Sequence, residues 1–367
     1  MLHRHPFTTA LPFCLVLCLG LFLDRAGSDE PVARAVGGNR IDFGLSPEVS
    51  RLYFGSCANQ LQPIPILGQV AREKPDLFIF MGDNIYGDTE DMKVLSDQYQ
   101  LLAANRDFQS LQKTCPVLAT WDDHDYGVND GGADYKKRAE SEKIFLDFWK
   151  VKSTSPRRTR PGVYDVQYFG SPASRIQVIL LDTRYFRGPL KKGVRRVGGP
   201  YYPYEDPSIS MLGKRQWDWL SRTLKEPAKL RIIVSSIQFL AGSAGQETWS
   251  NLPLERARFM ELLDSLQVDN ALFISGDRHW SELSALKRAS GLPLYDLTSS
   301  SLNRPHQRGT PTKNAFRVIE KTYHEENYGR ILIDWKQQDP ELTLQICNLT
   351  GEVMLGKKLH LGDLARP

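Results

Sequence analysis

Short uninterrupted apolar runs alternate along this chain with longer stretches in which apolar residues recur every three or four positions. The runs at 52–54, 76–81, 115–120, 163–169, 175–181, 230–235 and 271–275 have the length of strands and are rich in Val, Ile, Leu and Phe. Leu77-Phe-Ile-Phe-Met81 and Ala271-Leu-Phe-Ile274 are apolar at every position, which predicts strands covered on both faces. Between the runs, 64–73, 91–105, 133–149, 213–224 and 254–266 carry helical spacing, while 188–206 reads as a Gly/Pro/Tyr loop. Beyond Leu283 only short strands follow, 328–335 and 341–347 among them. Strand and helix alternate without internal repeat. The expectation is one α/β domain over 49–362, with two packed mixed sheets between helix layers.

The first residues break the pattern. Positions 11–23 form an apolar block too short to span a bilayer comfortably, and Ala26-Gly-Ser28 offers small residues for cleavage. A Sec-type signal peptide over 1–28 and a linker over 29–48 are expected, giving a secreted or periplasmic (cell-envelope) protein with no transmembrane helix in its mature chain; an uncleaved anchor is the alternative. With 41% apolar and 25% charged residues the rest is ordinary for a globular protein. A net charge of +4 over 367 residues is too slight for a dedicated nucleic-acid binder and leaves an anionic small substrate open. A monomer is expected. Past the signal, Cys57, Cys115 and Cys347 remain, an odd number, so at least one thiol stays outside an intramolecular disulfide.

The candidate chemistry sits where strands end. Gly55-Ser-Cys57, Gly82-Asp83-Asn-Ile-Tyr86, Trp121-Asp122-Asp123-His124-Asp125 and Gly276-Asp277-Arg-His279 each follow an apolar run. A loop at the carboxyl end of a strand is where open α/β sheets place their ligands. Carboxylates held close together repel unless a positive ion sits among them. Of the five histidines past the signal only His124 and His279 stand at strand ends, which excludes a zinc pair built from imidazoles. Carboxylates, with Asn129 nearby, suit a hard cation such as calcium, magnesium or manganese. A thiolate, a phenolate and an imidazole suit iron. The mixture points to two unlike metals bridged by Asp83. Plainer readings stand beside this one: Cys57 paired with Cys115, Tyr86 packed on Trp121, His124 bonded to a carbonyl, a structural calcium site, or a non-catalytic exported protein that binds metal and phosphorylated polymers.

Taken in order, GSC, GDNIY, WDDHD with Asn129 six residues past Asp123, and GDRH resemble the PhoD-like alkaline phosphatases of the metallophosphoesterase superfamily. The likeness runs from about 52 to 280 and takes in Asp182-Thr-Arg184 and Gln216-Trp-Asp-Trp-Leu220. It implies a four-layer αββα sandwich. It implies Fe3+ held by Cys57, Asp83, Tyr86 and His279, and Ca2+ (or Mn2+ or Mg2+) near Asp83, Asp123 or Asp122, Asn129 and Asp277. It places His124 beside the phosphate, with Asp125 orienting the imidazole. The reaction implied is hydrolysis of a phosphate mono- or diester by a metal-bound hydroxide. No phosphoenzyme is expected, because no Ser or Thr is seen where the metals would converge. Arg184 is read either as a catalytic phosphate clamp or as half of an ion pair. The basic residues Lys191, Lys192, Arg195 and Arg196 are read as solvated surface, or as a surface that meets a bulky or polyanionic substrate. The strand-rich end, without a covering helix pattern, suggests an open entrance, which favours bulky or diester substrates.

Overall fold

The computed structural model describes residues 47–366 apart from 197, 243–244 and 307–312. The expected signal segment, and all but the last two residues of the expected linker, lie outside the described residues. Among the described residues no helix is long and apolar enough to cross a membrane.

The strands, in chain order, are β1 (Arg51–Gly55), β2 (Leu77–Met81), β3 (Val117–Thr120), β4 (Asp165–Phe169), β5 (Ile176–Leu180), β6 (Lys191–Arg196), β7 (Gly199–Tyr202), β8 (Leu230–Ser235), β9 (Ala271–Ser275), β10 (Glu282–Lys287), β11 (Pro293–Thr298), β12 (Asn327–Asp334), β13 (Glu341–Asn348) and β14 (Val353–His360). The helices are α1 (Pro65–Glu73), α2 (Met92–Ala104), α3 (Arg106–Thr114), α4 (Asp123–Tyr126), α5 (Arg138–Phe148), α6 (Gly213–Thr223) and α7 (Pro253–Ser265). One sheet runs β14-β13-β12-β1-β2-β3 and the other β10-β11-β9-β8-β5-β4, each with six strands. The second sheet has a parallel centre flanked by antiparallel edges, whereas in the first β1, β2 and β3 run parallel out to one edge and β12, β13 and β14 add antiparallel strands on the other side.

Alternation along the strands sorts the core into layers. Leu77, Ile79 and Met81 of β2 join Val178, Leu180, Ile232 and Ile274 in a cluster between the sheets. Phe78 and Phe80 point the other way, onto Leu67, Val70, Leu102 and Phe108 of α1–α3. Ile179, Ile233 and Phe273 of the second sheet meet Trp217, Leu220 and Phe259 of α6 and α7. Each large aliphatic or aromatic side chain so buried contributes about 1.5–3 kcal/mol. The result is the expected α/β architecture: four layers, αββα, built on two mixed sheets.

Three local differences have simple causes. The helical stretch 91–105 is closed by Asn105, whose side chain accepts from Phe108 N at 3.0 Å and starts a second helix, α3. Helix α5 begins five residues later than 133, because 133–137 are taken up by turns. Within 188–206, Lys191–Arg196 and Gly199–Tyr202 pair as a hairpin rather than a loop, with 191–195 exposed and Gly199 and Tyr201 buried.

Candidate metal centre

Loops leaving the carboxyl ends of β1, β2, β3, β5, β8, β9 and β11 meet at one place. Backbone conformation, more than any single contact, aims the side chains there. Cys57, Asp83, Asp277 and His279 all have left-handed φ (61°, 49°, 66° and 59°), a region costly for side chains other than glycine and tolerated best by Asn and Asp. Gly82, at φ 106°, allows close approach of the next loop: a Cβ there would lie 2.5 Å from Asp122 Cβ and 2.8 Å from Asp122 N. The glycine of GDN thus seats the WDDHD loop against it.

Asp83 is the shared member. The Cys57 sulfur, an Asp83 carboxylate oxygen and a His279 ring nitrogen lie within 4.8 Å of one another, and so do single donor atoms of Asp83, Asp122, Asp123 and Asp277, and of Asp83, Asp123 and His124. Asp83 Oδ2 accepts from Cys57 Sγ at 3.4 Å and from Tyr86 OH at 3.3 Å. Tyr86 OH in turn lies 3.2 Å from His279 Nε2. The convergence expected from Cys57 to His279 is therefore present in space. Cys57, Cys115 and Cys347 are all unbridged, which removes the Cys57–Cys115 pairing. Tyr86 packs on His124, with ring centres 4.3 Å apart, and not on Trp121.

The electrostatics describe a nest of acids short of positive charge. Burial pushes the Asp83 carboxyl well above the usual range, with Cys57 adding to the effect. Burial, then Asp122, Asp123 and Asp83, do the same to Asp277. Asp123 differs: against burial, Arg184 and His124 hold it down at about 2. Asp83 Oδ1 and Asp122 Oδ2 are buried without a hydrogen-bond partner among the described residues. Burial, aided by Arg304 and His124, lowers His279 to about 4, so its imidazole is neutral and its lone pair available. Unpaired buried carboxylate oxygens beside a neutral imidazole and a thiol are a donor set that fits cations.

Around this nest the surrounding contacts correct several expectations. Asp125 does not touch His124. It is buried, takes Asp122 N at 2.6 Å and Asn84 Nδ2 at 2.5 Å, and so closes the WDDHD turn. The imidazole is held instead by Asp88, whose Oδ1 lies 2.7 Å from His124 Nδ1. Against burial, Asp83 and Asp88 raise His124 to about 10. Arg184 is fully buried, with Nε on Asp122 Oδ1 at 2.5 Å and Nη1 on Glu247. Of its two readings, the ion pair is the one these contacts describe. Asn129 is exposed on the rim, and its carboxamide bonds nothing among the described residues. The neighbouring Asp130 comes closer: its carboxylate groups with Asp123 and Glu247, and its backbone N–H donates to Asp123 Oδ2 at 2.7 Å. Hydroxyls do border the centre, contrary to expectation. Ser236 donates to Asp122 at 2.5 Å, and Ser300 accepts from His279 N at 2.8 Å while lying 3.2 Å from Cys57 Sγ. Both are buried in holding the acids and the thiol.

A back-to-back pair of mixed sheets with an acid-rich metal nest at the strand ends defines a fold class shared with metal-dependent phosphatases. The chain belongs to the PhoD-like phosphatase family, whose sequence model matches residues 52–339. Alkaline phosphatase D of Bacillus subtilis (strain 168) is 23% identical over 256 residues, covering 59% of this chain and 43% of that protein. The chain thus spans less than half the length of that curated relative. Among solved structures, PhoD superposes with a TM-score of 0.67 at 17% identity, over 86% of this chain and 69% of that one. GAP50, the anchor in the inner membrane complex of Plasmodium, gives 0.55 at 13% identity, over 85% of this chain and 89% of that one. A dimetal phosphatase from Danio rerio gives 0.50 at 11% identity, over 86% and 99%. At these identities the superpositions speak for the fold.

Proposed function

We propose that the chain is an exported metal-dependent phosphoesterase acting on phosphate mono- or diesters. In this reading Cys57, Asp83, Tyr86 and His279 hold Fe3+, and Asp83, Asp122 or Asp123, and Asp277 hold Ca2+, with Mn2+ or Mg2+ as substitutes. Asn129 completes the second site by turning inward from the rim. The observation that carries the reading is the sharing of Asp83 between a thiol–phenol–imidazole group and an all-carboxylate group. When bound, the cations would supply the acidity that makes water a nucleophile near neutral pH and the charge that neutralises the phosphoryl oxygens.

The chain's own residues do the rest. Arg184, locked between Asp122 and Glu247, fixes the carboxylate face and offsets part of its charge. Asp88 occupies His124 Nδ1 and leaves Nε2 for the substrate. With its pKa raised, His124 carries a proton at neutral pH and delivers it from Nε2 to the departing oxygen. Ser300 and Ser236 stay engaged with His279 and Asp122, so the reading keeps direct attack by water, without a phosphoenzyme.

Nitrophenyl phosphate and bis(nitrophenyl) phosphate, assayed beside metal analysis, test the proposal. Turnover lost to a chelator and restored by iron and calcium is expected. Phosphate affinity without turnover would make the chain a binding protein, and calcium alone without activity a structural site. Export rests on the apolar block at 11–23, and sequencing the amino terminus of the protein recovered from its native host tests it.

A further inference from the structure

The segment after β11 runs past the Cys57–His279 side of the centre and is fastened there at both ends. Ser300 is tied to His279 and Cys57 as above. Asn59 N donates to Asn303 Oδ1 at 2.6 Å, and Asn303 Nδ2 donates back to Asn59 O at 2.9 Å. Three residues on, His306 N donates to His279 O at 2.9 Å. Arg304 lies between these fastenings, and Pro305 behind it holds its backbone toward the extended region. Its side chain is exposed, and its guanidinium carbon stands 4.1 Å from the centre of the Tyr86 ring. Among the described residues no carboxylate pairs with it, whereas Arg184 and Arg187 are both buried against Glu247.

A guanidinium set over an aromatic ring, exposed to solvent and with its charge uncommitted, is suited to a planar pair of anionic oxygens. The ring on which it lies is itself part of the candidate iron group. We propose that Arg304 is a substrate-binding cation of this centre, which grips two terminal oxygens of the phosphoryl group from the solvent side and favours monoesters over diesters. A monoester offers three terminal oxygens sharing two charges above neutral pH, and a diester two sharing one. The guanidinium therefore stabilises the first more than the second. The substrate named here rests on the phosphoesterase reading, but affinity for orthophosphate tests the residue without any turnover.

The experiment compares the metal-loaded full chain with Arg304→Gln and Arg304→Lys. Orthophosphate binding is read by calorimetry, and kcat and KM are read on nitrophenyl phosphate and bis(nitrophenyl) phosphate. Arg304→Gln is expected to weaken orthophosphate about tenfold and to raise the monoester KM by a similar factor. Its kcat should change little, its diester KM less than its monoester KM, and Arg304→Lys should recover part of the affinity. Unchanged orthophosphate affinity in Arg304→Gln overturns the proposal, as does a wild type that binds no orthophosphate. A loss confined to kcat also overturns it, since that would mean the residue acts only through Tyr86. A wild type that hydrolyses neither ester defeats the phosphoesterase reading, and the calorimetric arm then decides on Arg304 by itself.

Discussion

On one side of Asp83 stand Cys57, Tyr86 and His279; on the other stand Asp122, Asp123 and Asp277. The first side is chemically varied, and its three groups are all held neutral by burial: a thiol and a phenol raised, an imidazole lowered. The second is chemically uniform and electrostatically divided, with Asp123 held ionised by Arg184 and His124 while Asp277 is driven toward its acid form. The difference bears on the proposed pair of metals: a thiolate, a phenolate and an imidazole together suit iron, and a crowd of carboxylates suits a hard divalent ion such as calcium.

Because Asp83 belongs to both sides, Asp83→Asn breaks the comparison most severely. We expect no measurable turnover and loss of both metals on elemental analysis, with far-UV circular dichroism unchanged. Cys57→Ser should sharpen it: iron falls while calcium stays, and any visible absorbance goes with the iron. If Tyr86 supplies a phenolate, Tyr86→Phe should lose that colour even where iron is retained. His124→Ala should lower kcat about a hundredfold on esters with poor leaving groups and less on nitrophenyl esters. Asp88→Asn should have the smallest effect. Asp88 helps to raise His124 to about 10, so His124 carries its proton below that pH and loses it above. Removing Asp88 should move the alkaline limb of the rate profile to lower pH.

A stability measurement addresses the acid side directly. Asp83 and Asp277 have folded pKa values raised above the ordinary carboxylate value, so in metal-free protein the folded state holds their protons longer than the unfolded chain does. Their contribution is intact in acid and is lost as pH rises through the raised folded values. Metal-stripped protein should therefore melt at lower temperature as pH climbs from about 4, whereas added calcium should flatten that dependence.

Strand ends were legible because the signal is local. An apolar run that breaks off into glycine or polar residues needs no distant partner to be noticed, and Cys57, Asp83, Asp123, Asp277 and His279 all stand at such a break. What the sequence hid, Arg184 apart, were the groups that act from elsewhere. Asp88 sits two residues past Tyr86 in an exposed turn, with nothing in its neighbours to say that His124 comes back over it. Asp125 looked like its natural partner because adjacency in sequence was mistaken for direction in space. Glu247, which fixes Arg184 and Arg187, lies in a stretch without periodicity, and Arg304 in another. The division of 91–114 into two helices could have been seen, since Asn105 followed by Asp107 is an ordinary helix start.

The left-handed turns at Cys57, Asp83, Asp277 and His279 also limit what the chain can become. Valine, isoleucine or threonine at any of these positions would distort the loop and remove the donor together. Asparagine and glycine keep the turn while removing the native donor group, so they are the exits open to a lineage that abandons catalysis. Such a descendant would keep its shape and be recognised by where those two residues stand.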